Sequence, residues 1–145
     1  MHARIFYDSN ILVYAYSSDV PEKQRIAHEM IEDGMRYGIG VISPQVLGEF
    51  FVTITRKAKV PMSTEVARME IENLQGLDVV ASDRALVLQA INLQARFQIH
   101  YWDAMIIAAA QRANCRTILS EDLAHGQKYG EVEVRNPFTA SKHKK

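Results

Sequence analysis

The chain has a single cysteine, Cys115, and so cannot close an internal disulfide. That sets disulfide scaffolds aside and suits a reducing compartment. Cys115 stands beside the apolar run 106–110 and reads as a small buried residue, not a nucleophile. An excess of one charge is also missing: 17 basic and 17 acidic side chains give a formal net charge of zero. No global electrostatic footprint for nucleic acid exists, and any basic patch must be local. No apolar run reaches the roughly 18 residues that span a bilayer, so no membrane association is expected. Asp8 interrupts the first apolar region and no small-residue cleavage site follows, which argues against a signal peptide. A cytoplasmic location is therefore the expectation. Repeats, low-complexity segments and internal linkers are lacking too. Residues 1–138 are expected to form one domain, with 139–145 as a flexible basic tail.

Hydrophobic residues, in contrast, make up 48% of the 145 positions and charged residues 23%, enough for a substantial core under a solvated surface. Residues 4–7 predict a strand, with a short helix from Asn10. Pro21 opens a second helix at its first turn, and Ile26, Ala27, Met30, Ile31 and Met35 recur at helical spacing. Gly38 and Gly40 lead into a strand at 41–42. Ser43-Pro44 is a cap-plus-proline start for a third helix, striped by Val46, Leu47, Phe50, Phe51 and Ile54. A fourth helix is predicted from Ser63-Thr64 to about residue 75, then a strand at 77–81. Ser82-Asp83 caps a fifth helix, in which Leu86, Ala90, Leu93 and Phe97 share one face. Residues 104–110 are apolar all round, which predicts a helix buried in the middle of the fold. Strands at 117–119 and 131–135 follow. Apolar strands alternating with helices, without hairpin turns, predict an α/β chain: a three-layer α/β/α sandwich on a mainly parallel sheet of about five strands.

Several acids interrupt this apolar pattern. Asp8 follows the first strand inside the stretch FYDSNILVYA. Glu49 lies within QVLGEF of the third helix, Asp103 begins the all-apolar helix in YWDAMIIAAA, and Glu121-Asp122 follow the strand in ILSEDLAHGQ. Singly, Asp8, Asp103 and Asp122 also suit helix N-caps, and Glu49 suits a partly exposed edge. Jointly they collect at the carboxyl ends of parallel strands, where open α/β sheets carry their functional residues. Carboxylates crowded together repel, and a hard divalent cation resolves the conflict. All-oxygen donors favour Mg²⁺ or Mn²⁺. The five histidines are scattered, with none paired at zinc-ligand spacing. His100 and His125, near Asp103 and Asp122, are the two to watch beside a phosphate. Acid clusters that hold such ions commonly serve phosphoryl chemistry.

Asp-x-Asn, then Glu, then Asp-Ala, then Ser-Glu-Asp-Leu, with VRNPF at the close, resembles the PIN-domain family over nearly the whole chain. That family includes the VapC-type toxins of toxin–antitoxin pairs. The resemblance implies ligation of Mg²⁺ or Mn²⁺ by Asp8, Glu49, Asp103 and Asp122, with the same four acids as the catalytic set. Ser9 and Asn10 would shape the first loop, Ser120 would stand beside the last acid, and Glu121 would be an indirect or water-mediated ligand at best. It further implies hydrolysis of RNA to a 5′-phosphate and a 3′-hydroxyl, a homodimer, and a cognate antitoxin. For RNA contacts the candidates are Arg56, Lys57, Lys59 and the tail lysines, with Tyr14, Tyr16 or Tyr101 available for stacking. Trp102, which flanks Asp103 at the start of a buried helix, is expected in the core in preference to stacking on a base. A haloacid-dehalogenase-type phosphatase needs a second Asp where this chain has Asn10, and a receiver domain needs an acidic pair and a late Lys that cannot be placed. A housekeeping PIN ribonuclease, or a catalytically silent RNA-binding module, remains the alternative.

Overall fold

The structure, a computed structural model, describes residues 3–139. The tail beyond Thr139, with its lysines, lies outside the described residues. Six strands form one sheet in the order β3-β2-β1-β4-β6-β5. They are β1 (Ile5–Tyr7), β2 (Gly40–Ile42), β3 (Asp78–Val79), β4 (Thr117–Leu119), β5 (Lys128–Tyr129) and β6 (Val132–Arg135). All neighbours pair in parallel except β5, which folds back antiparallel on β6. The sheet thus has one strand more than the sequence predicts. The extra strand is two residues long, too short to show a period, and is joined to β6 through Gly130 at φ +65°.

The helices are α1 (Ser9–Ala15), α2 (Pro21–Arg36), α3 (Pro44–Val52), α4 (Thr64–Glu72), α5 (Arg84–Phe97) and α6 (Tyr101–Arg112). Their starts follow local chemistry. Ser43 accepts from the Val46 amide at 3.3 Å, Ser63 from Val66 at 3.2 Å and Asp83 from Leu86 at 2.9 Å. Each such cap is worth about 1 kcal/mol. Helix α3 widens at its end into a π-helical turn, Thr53–Lys57, whose exposed Arg56 and Lys57 suit the negative helix terminus. Helix α6 is the buried one: Ala104, Met105, Ile106, Ile107, Ala108, Ala109 and Ala110 are all in the core. Its alanines let the backbone lie close to the sheet, against Ile118 and Val134, which are fully covered. No helix among the described residues is long and apolar enough to cross a membrane.

What matters for function is where the chain reverses. From β1 it steps outward to β2 and β3, then returns across β1 to β4 and β6. The carboxyl ends of β1 and β4 therefore flank the switch point, the usual ligand crevice of an open parallel sheet. Register places Tyr7 beside Leu119, so the next residues, Asp8 and Ser120, leave the sheet side by side.

Candidate active site

Asp8 is only 7% exposed, at the end of β1 and the N-cap of α1. One carboxylate oxygen accepts from the Ser9 amide at 2.8 Å and the other from the Ser120 hydroxyl at 2.7 Å. The capping role and the site role therefore fall on the same side chain. Burial pushes its carboxyl up to about 6. The two hydrogen bonds oppose that rise, while the charges of Glu49 and Asp122 add to it. The last acids reach Asp8 through Ser120, which is fully buried. Its hydroxyl donates to Asp8 and accepts from the amides of Asp122 at 3.1 Å and Leu123 at 3.2 Å. A serine here folds the chain after β4 back toward β1.

Asn10 ties the same two loops together. Its side-chain amide points at Asp8 Oδ2 at 3.4 Å, Ser120 Oγ at 3.4 Å and Asp122 Oδ2 at 3.3 Å, and its carbonyl accepts from the Glu121 amide at 3.0 Å. An aspartate at this position would add another negative charge and could not donate. The structure thus gives Asn10 a positive task beyond setting aside a phosphatase.

Asp103 stands in the first turn of α6, whose N-terminal residue is preceded by His100 as N-cap. It is half-buried and makes no cap bond, so the simple capping role expected of it falls away. Burial raises its pKa, the His100 charge lowers it, and Asp122 raises it again. Helix α6 runs antiparallel to the strands, which is why its first turn meets their carboxyl edge. Glu49 reaches the same edge from the second turn of α3. It is exposed, and Gln45 one turn earlier donates to it at 3.3 Å. Gln45 also donates to the Trp102 carbonyl at 3.1 Å, pinning the start of α6 to α3.

The four predicted acids are thus linked electrostatically, Glu49 to Asp8 to Asp122 to Asp103. Among the described residues, however, no three His, Cys, Asp or Glu side chains gather closely enough to grip an ion as they stand. The donor chemistry nonetheless fits a hard divalent cation: four carboxylates, one buried beside two like charges, with neither Lys nor Arg among the described residues bonded to them.

Glu121 turns the other way. It pairs with Lys23 and accepts from the Tyr14 hydroxyl at 2.6 Å. Lys23 lies over the rings of Tyr14 at 4.7 Å and Phe138 at 5.2 Å, which meet edge-on at 5.1 Å. The hydrogen bond to Glu121 is the main cause of the raised Lys23 pKa. Sequence reasoning missed Lys23, Phe138 and Gln45. A signal existed for Lys23: a cation in the first turn of a helix opposes the macrodipole and needs an anionic partner.

Of the expected contact residues, Tyr14 and Lys57 line a groove of about 550 Å³ that opens onto Asn10 and Asp122. Tyr16 lines it too but packs its ring on Phe50 at 5.4 Å. His125 is engaged, accepting from the Asn136 amide at 2.9 Å. A cleft of about 580 Å³ at the amino end of β4, lined by Gln111, Arg116, Lys128 and Glu133 among others, holds none of the four acids. Cys115 is buried as expected, and burial pushes its thiol up to about 11. Trp102 reverses its expectation. It is 61% exposed, not core.

Comparison with known proteins agrees with this architecture. The PIN domain family model matches residues 5–130. Among solved structures, VapC20 of Mycobacterium tuberculosis, a sarcin-ricin loop cleaving toxin, superposes with a TM-score of 0.68 at 18% identity, covering 89% of this chain and 98% of that one. A toxin–antitoxin complex from Klebsiella pneumoniae gives 0.67 at 16% identity, covering 92% and 97%. VapBC2 from Rickettsia felis, bound to a DNA fragment from its promoter, gives 0.66 at 17% identity, covering 91% and 97%. No curated protein sequence matches the chain.

Proposed function

This chain belongs to the PIN domain family, and from that premise we propose that it is a Mg²⁺- or Mn²⁺-dependent ribonuclease, the toxin of a toxin–antitoxin pair. The observation that carries the reading is Asp8, buried at the switch point and within reach of the Glu49 and Asp122 charges. Asp8, Glu49, Asp103 and Asp122 are the residues that would hold the ion. When bound, it would offset the phosphate charge, acidify an attacking water and steady the leaving oxygen.

The chain's own residues do the rest. Ser9 and Ser120 fix both oxygens of Asp8, so its orientation is set before substrate arrives. Asn10 holds the Asp8 and Asp122 loops in register. One carboxylate takes the proton from water as it attacks the phosphodiester in line; the P–O3′ bond breaks and the departing oxygen takes a proton from solvent, leaving a 5′-phosphate and a 3′-hydroxyl. No histidine pair is required. The groove with Lys57 and Tyr14 offers the RNA a path into the acids. The similar complexes named above support a cognate antitoxin as partner, and we assign the protein to the cytoplasm, as a homodimer.

Single-turnover cleavage of RNA tests the activity. EDTA should abolish it, and Asp103→Asn should lower it by about 100-fold, the scale of removing one pre-organised charged group. Full activity in EDTA would overturn the metal site. Expression of the wild type should arrest growth while Asp103→Asn does not. Cleavage without arrest would make it a housekeeping ribonuclease, and RNA binding without cleavage a silent module.

A further inference from the structure

Trp102 is the only tryptophan of the chain. It is 61% exposed, although the helix it opens is otherwise buried from Ala104 to Ala110. Single exposed apolar residues are ordinary in soluble proteins. This one differs in how it is held and in what surrounds it. It precedes Asp103 directly in the chain. Tyr101 braces its ring edge-on, with centroids 4.9 Å apart and planes at 76°. Its carbonyl is fixed by Gln45, the same amide that contacts Glu49. A braced aromatic ring thus sits on the residue before Asp103, tied through its backbone to α3, which carries Glu49.

We infer that Trp102 is the stacking platform for an unpaired RNA base next to the scissile phosphate. The inference rests on the ribonuclease reading above. The base face is uncharged, so it can settle on the indole while its phosphate lies toward the cation that Asp103 and Glu49 would help to hold. A base inside a duplex is already stacked and cannot do this, which makes the substrate single-stranded or looped at the cut. A second copy of the chain fits this rim less well. The cores of protein interfaces are depleted of charge, whereas Trp102 adjoins Asp103 in the chain and its carbonyl is held by Gln45, which also contacts Glu49.

The uniqueness of Trp102 provides the measurement. A single-stranded oligoadenylate is titrated into the full chain in EDTA, with indole fluorescence read directly and binding followed by anisotropy of a labelled oligonucleotide. Saturable quenching by the single strand, absent with the same strand in a duplex, is expected. Trp102→Ala should weaken binding by between about 5-fold and 150-fold, the range for one lost base–aromatic stack. Trp102→Phe should restore most of it. Equal binding by wild type and Trp102→Ala, or binding without quenching, overturns the inference while leaving the ribonuclease reading intact if RNA is still cleaved. A Trp102→Ala chain that changes from dimer to monomer in light scattering also overturns it, in favour of a subunit contact. Neither binding nor cleavage by the wild type would remove both.

Discussion

Asp8 carries an energetic conflict that can be measured on the metal-free protein. Its folded pKa is raised from 3.8 to about 6, so the folded state keeps its proton where the unfolded chain has lost it. Below pH 3.8 the group is protonated in both states and costs nothing. As pH rises through 6 the folded carboxylate must ionise in a buried site, and stability falls by about 3 kcal/mol over that window. Asp8→Asn keeps a single oxygen acceptor, for the Ser9 amide or the Ser120 hydroxyl but not both, much as the protonated acid does, and it cannot ionise. In EDTA it should match the wild type in urea unfolding near pH 3.5 and be the more stable protein at pH 7.5. Added Mg²⁺ should then raise the wild type and leave the variant unchanged. A wild type as stable as the variant at pH 7.5 in EDTA would mean that Asp8 is not strained by burial. At this scale the sequence was partly readable. Carboxylates in apolar surroundings identify Asp8 and Asp103 by type alone. The fate of Glu121 was not readable, because Lys23 lies 98 positions away. Trp102 was misread because a residue in the first turn of an otherwise buried helix can face outward, which the apolar run from Ala104 does not reveal.

At the scale of elements, α2 contains a glycine in its interior, Gly34, where alanine would favour the helix by about 1 kcal/mol. Packing explains the glycine. A Cβ there would collide with the hydroxyl of Tyr7, a fully buried side chain that donates to the Met30 carbonyl at 2.7 Å. Overpacking costs of order 1–3 kcal/mol, more than the propensity gain. Gly34→Ala should therefore lower the thermal midpoint, and Tyr7→Phe, which removes the colliding hydroxyl, should recover much of the loss. Additive effects of the two changes would refute a direct contact. The same scale shows why caps were legible and short strands were not. Ser43, Ser63 and Asp83 act within three residues of themselves. Strand β3, predicted over 77–81, is confined to Asp78–Val79, an edge segment with β2 as its sole partner. Strand β5 exists by virtue of β6, and no local pattern announces it.

At the scale of the molecule, strand order decides which acids meet, and order is set by pairing over long separations that one chain's periodicity does not show. Alternation predicted the parallel sheet and placed the acids at its carboxyl edge. The switch between β1 and β4 then brings Asp8 beside Ser120 across 112 positions. The same global view constrains how RNA would be held in the proposed reaction. With 17 charges of each sign the chain has no overall attraction for a polyanion, and its site is itself acidic. Attraction must come from a local source, and among the described residues the exposed cluster Arg56, Lys57 and Lys59, just after α3, borders the groove through Lys57. For single strands each phosphate contact contributes about −0.7 to the slope of log affinity against log salt, so three cations give about −2. Replacing all three by glutamine should weaken RNA binding and flatten that slope by about 2, while metal-supported turnover at saturating RNA stays near the wild-type rate. A slope unchanged by the triple substitution would place the phosphate contacts elsewhere on the surface and separate the groove from the path of the RNA.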